Sequence, residues 1–181
     1  MFGQFGQKPN LQDLKPIAYI NASGQLPEEF QGKVGVYAIF DGADLVQYIG
    51  YSRDVFLSLK QHLIRQPEKC VAVKIQTIDR PSRTALDEIC TAWIQTANQP
   101  DLATIHTDSA WTQSIDVKTQ LTDEEKAKIA NAIDDLEKSV ILKKACRRVE
   151  AIILDVLKAR GLETEIRFNP KLKDSGLLDL K

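Results

Sequence analysis

Tyr37 ends the triplet Gly35-Val36-Tyr37 and Tyr48 begins the triplet Tyr48-Ile49-Gly50, with Asp41-Gly42 as turn chemistry between them. Read alone, two tyrosines on neighbouring strands form a cross-strand aromatic pair that stabilises a hairpin. His62 follows on a segment of helical spacing, where a histidine is ordinarily a surface or capping residue. Arg53 suits a helix cap or a phosphate contact. A second chemistry is offered by "KKACRR", the densest basic cluster in the chain, which holds Lys143, Lys144, Arg147 and Arg148. Its i, i+4 spacing puts Lys143 with Arg147, and Lys144 with Arg148, on neighbouring helix faces that suit phosphates. Glu137, Glu150 and Asp155 lie near it, so a solvated helix face is the competing reading. Cys70, Cys90 and Cys146 are far apart and odd in number, which excludes a disulfide framework and implies reduced thiols in a cytoplasmic-type compartment. Cys90, on an apolar face, reads as a core residue.

These residues need elements to position them. "VGVYAIF" and "LVQYIGY" flank the turn as a β-hairpin. "SRDVFLSLKQHLIRQ" sets Val55, Leu59 and Leu63 at helical spacing, with Ser52 or Asp54 as the cap. "CVAVKIQTI" alternates as a strand, and "RPSRTALDEICTAWIQTAN" gathers Leu86, Ile89, Cys90, Trp93 and Ile94 on one helical face. The order β-β-α-β-α predicts an α/β module over residues 32–100, a three-stranded antiparallel sheet flanked by helices. Residues 1–31, rich in Gln, Gly and Pro with an apolar patch "IAYI", predict an arm that docks on it. Residues 101–121 read as a loop-like linker, and residues 122–181 as a helical carboxy-terminal extension. In the extension, "LTDEEKAKIANAIDDLEK" opens with a Thr122–Glu125 capping box and sets Ile129, Ile133, Leu136 and Val140 in one apolar stripe. A second helix, from about 139 to 160, is predicted to bury Val149, Ile152, Ile153, Val156 and Leu157 and to stop at Arg160-Gly161. The apolar end "LLDL" must pack against something.

With 43% apolar and 27% charged residues, the chain has the composition of a soluble globular protein. Its formal net charge of −1 makes no general case for nucleic acid, which requires a local basic footprint. No apolar run reaches membrane-spanning length and the opening lacks targeting character, so a cytoplasmic protein with no membrane partner is expected.

Together with the turn and the following helix, "GVY" and "YIG" resemble the GIY-YIG nuclease family over roughly residues 32–100. The chain is similar to cyanobacterial members and to the amino-terminal domain fused to a plastid glutaredoxin in plants. There "GLSR" or "GYSR" follows the second triplet, as Gly50-Tyr51-Ser52-Arg53 does here. The resemblance implies metal-assisted phosphodiester hydrolysis in DNA or RNA, with Mg²⁺ or Mn²⁺. It implies that Tyr37 activates water or acts as general base, that Tyr48 and His62 assist by hydrogen bonding, and that a glutamate on the next helix holds the metal. Such chemistry needs an activated nucleophile, a cation at the phosphate and a Lewis acid. The family's arginine falls on Ser58, which supplies no charge; Arg53 and Lys60 are the nearby cations, and Lys60 points to another face. The metal ligand's place falls on Cys90, and Glu88, the nearest carboxylate, stands about 200° round the helix from it. Asn98 precedes Pro100 and so does not match the asparagine that often closes the family's module. The expectation is a nuclease-like domain with a degenerate catalytic set. The alternative is a catalytically inactive scaffold that binds a protein through its C-terminal helices or nucleic acid through "KKACRR".

Overall fold

The computed structural model describes residues 10–80, 82–97, 99 and 108–181; Asn98 and Pro100 lie outside them. Strand β1 (Ile17–Ala18) precedes the hairpin strands β2 (Gly35–Phe40) and β3 (Val46–Ser52). Helix α1 (Val55–Arg65), strand β4 (Ala72–Thr77) and helix α2 (Arg83–Ala97) follow. The sheet is antiparallel in the order β1-β4-β2-β3, so it has four strands rather than the predicted three. The extra strand comes from the amino-terminal segment. Ile17 and Ala18 pair with Val73 and Ala72 along an edge of β4 that would otherwise leave backbone groups unpaired. Two residues are too few to show a period, so this strand leaves no pattern in the sequence.

Side-chain alternation along β2 divides the core into two layers. Tyr37 and Ile39 face one side, with Tyr48 and Val73, and meet Val55, Leu59 and Leu63 of α1. Val36, Ala38 and Phe40 face the other side and meet Leu86, Ile89 and Trp93 of α2. The hairpin turn is built by Asp41, whose Oδ1 accepts from the backbone N–H of Ala43 at 2.9 Å and of Leu45 at 3.0 Å. Its left-handed residue is Asp44 (φ 60°), not Gly42. Gly35 is required for a different reason: a Cβ there would stand 2.6 Å from the Gln76 carbonyl oxygen of β4.

The segment read as a linker carries elements of its own, helix α3 (Ser109–Thr112) and strand β5 (Ile115–Asp116). Helices α4 (Asp123–Ala130) and α5 (Asp135–Ala159) follow, and strand β6 (Leu177–Leu178) pairs with β5. The Thr122–Glu125 capping box forms, and α5 ends at Arg160 with Gly161 in the left-handed region (φ 83°). The helix predicted from Leu121 to Lys138 is instead broken after Ala130. Asp134 starts a new helix by accepting from the Glu137 N–H at 2.8 Å. The stripe is therefore not a buried face: Ile133 is 94% exposed and Leu136 74% exposed. Ile152 is likewise exposed, while Ala145, Val149, Ile153 and Leu157 make the inward row at intervals of four. That row joins the Tyr37 layer, so the extension and the sheet share one core. No helix among the described residues is long and apolar enough to cross a membrane.

Candidate functional site

Strand register brings the two tyrosines together. Tyr37 is opposite Gly50 and Tyr48 is opposite Ile39, which makes the rings diagonal neighbours on one face with centroids 6.1 Å apart. Tyr48 lies back over its own glycine: a Cβ at Gly50 would stand 2.6 Å from the Tyr48 ring and 2.8 Å from its hydroxyl. On α1, Val55, Leu59, His62 and Leu63 share the inward face, so His62 is buried rather than a surface or capping residue. The Tyr37 hydroxyl and His62 Nε2 are hydrogen-bonded at 2.9 Å, and the His62 and Tyr48 rings are 4.5 Å apart. Tyr37, Tyr48 and His62 thus form one cluster.

The cluster has a cover. The Trp111 ring of α3 stacks on Tyr48 at 5.4 Å with 18° between planes, and lies 5.7 Å from His62. Arg65, in the last turn of α1, holds that cover down. Its Nη1 donates to the Trp111 carbonyl at 2.9 Å and its Nη2 to Asp179 Oδ2 at 3.0 Å, where Ser114 Oγ also donates at 2.7 Å. The pair is largely buried, with side-chain exposures of 7% for Arg65 and 15% for Asp179. Tyr37 itself is 2% exposed.

Burial sets the protonation states. It pushes Tyr37 far above the usual phenol range, helped by the charge of Tyr48, while the Ser58 hydroxyl and the Arg65 charge act the other way. Tyr48 is pushed up to about 12 by burial and by Cys90, again against Arg65. His62 is pushed down to about 3 by burial and by Arg65, with the Trp111 backbone opposing. At neutral pH the cluster is therefore an uncharged imidazole between two un-ionised phenols.

The other expected residues lie elsewhere. Ser58 is beside Tyr37 and donates to Ser52 Oγ at 2.8 Å. Arg53 is exposed at the end of β3 and turns toward the start of α2. Glu88 lies on the exposed side of α2, beside Thr84, Asp87 and Thr91. Cys90 is buried in the α2 layer, and burial followed by the Asp87 charge pushes its thiol up to about 11. The basic run does not act as a block. Lys143 pairs with Asp174 at 2.6 Å, and Arg148 forks onto Glu125 at 2.9 and 2.7 Å. Lys144 and Arg147 are exposed. Sequence reasoning passed over Arg65, Trp111 and Asp179. Arg65 is seven positions beyond Ser58 on the same helical face, a signal that was open to reading.

Among the described residues, no group of three His, Cys, Asp or Glu side chains could hold a metal ion. No protein-family model matches the chain. It is 36% identical over 61 residues to the bifunctional monothiol glutaredoxin-S16, chloroplastic, of Arabidopsis thaliana. That stretch is 34% of this chain and 21% of the plant protein, so the chain matches about a fifth of its relative's length.

Proposed function

We propose that this chain is a GIY-YIG-like domain whose nuclease-type cleft has become core, and that it serves as a binding scaffold rather than a phosphodiesterase. One observation carries this reading: Trp111 lies over Tyr48 and His62 and is held there by Arg65 and Asp179. A phenol that is 2% exposed leaves no room for a phosphodiester against its hydroxyl. The residues present do not fit a divalent metal beside the tyrosines. Glu88 is on the outer side of α2, and Cys90 holds its proton. The test is nicking of supercoiled plasmid in Mg²⁺ or Mn²⁺. Wild type and Tyr37→Phe are expected to be equally inert; nicking by wild type that Tyr37→Phe abolishes would overturn the proposal.

A second reading, a covered nuclease, is favoured by Arg65, whose charge acts on both tyrosines. On that reading Trp111→Ala nicks plasmid and Trp111→Ala with Tyr37→Phe does not. Inactivity of Trp111→Ala supports the first.

A further inference from the structure

Where the end of β3 meets the start of α2, a pocket of about 430 Å³ opens to solvent. It is lined by Tyr51, Ser52, Arg53, Ser82, Arg83 and Leu86. Two guanidinium groups and two serine hydroxyls thus share a cavity with an aromatic ring and an aliphatic wall. Guanidinium forks match phosphate oxygens and stay charged at any physiological pH. The volume is within the ordinary range for small-molecule sites.

The charges around the pocket define the ligand further. Asp87 hydrogen-bonds Tyr51 and approaches Arg83 at 3.8 Å. A nucleic-acid track needs a continuous basic stripe, whereas this cavity gathers two arginines with Asp87 beside them. A single dianionic group needs no more than the two arginines. The Arg83–Asp87 contact is long and exposed, so a ligand can draw Arg83 away from it at little cost. Tyr51 and Leu86 offer an apolar surface for the remainder of the molecule.

We infer that this pocket binds a small phosphomonoester, with Arg53 and Arg83 on the phosphate and Tyr51 and Leu86 against its organic part. The site uses none of the Tyr37–Tyr48–His62 cluster, and its readout is binding. Cleavage of plasmid, or its absence, therefore does not decide it.

Phenyl phosphate is the probe, titrated by calorimetry against the full chain, with inorganic phosphate and a short DNA duplex as separate arms. The expected result is saturable one-to-one binding of phenyl phosphate, with inorganic phosphate competing more weakly because it lacks the organic part. Arg53→Gln with Arg83→Gln should weaken phenyl phosphate by about tenfold or more. Both side chains are on the surface, so circular dichroism should confirm an unchanged fold. Three results would each overturn the inference. These are no saturable binding, equal binding by the double variant, and a DNA duplex that binds more tightly than phenyl phosphate.

Discussion

At the scale of single residues, His62 is the group whose proton reports the state of the cluster. Its folded pKa is about 3 against an ordinary 6.5, lowered by burial first and by Arg65 second. Between those values the unfolded chain binds a proton that the folded chain excludes. Stability therefore falls as pH drops through that window, by up to about 1.4 kcal/mol per pH unit. Urea unfolding from about pH 7 to about pH 5 should show this slope in wild type and a flatter one in His62→Gln. An equal slope in both proteins would mean that His62 is not held neutral. Glu125 provides a second reporter. The Arg148 hydrogen bond, before any other influence, holds its carboxyl down to about 2. Arg148→Ala should return Glu125 towards the ordinary 4.5 in a carboxyl NMR titration. Tyr37, Tyr48 and His62 were legible as a group because two triplets and a helix are a local pattern. The contact between Arg65 and Trp111 was not, because it spans 46 residues and uses a backbone carbonyl that any residue type provides.

At the scale of elements, the hairpin, α1 and α2 could be read because each carries its own period and turn or cap. The break between α4 and α5 could not. The spacing of Ile129, Ile133, Leu136 and Val140 runs through it unchanged, and only the cap at Asp134 decides where α5 begins. The consequence is measurable in stability. Leu157, fully buried in the shared core, should cost about 2–5 kcal/mol as Leu157→Ala. Leu136→Ala, on the bare stripe, should cost less than about 0.5 kcal/mol. Urea midpoints of the two variants, compared at one pH, check the difference. Similar losses would mean that the stripe is covered in solution.

At the scale of the whole molecule, the decisive contact joins residues far apart in the chain. Asp179→Ala leaves Arg65 buried without its carboxylate and should cost about 3–5 kcal/mol, with Trp111 emission moving to the red as its ring is wetted. Arg65→Met with Asp179→Leu removes both charges and should recover much of that loss. A recovery with Trp111 still red-shifted would show that the pair positions the cover more than it stabilises the fold; a recovery with Trp111 blue would show that the cover closes without it. That the sheet and the extension share one core was illegible in the sequence, since the joining contacts leave no local period. The same separation gives the site a history during synthesis. Arg65 and Asp179 are 114 residues apart, so at about 5–20 residues per second the arginine is made about 6 to 23 s before its partner. During that interval the aromatic cluster on the growing chain has no lock. Until Asp179 is made, the aromatic cluster is therefore open to contacts that the folded chain buries.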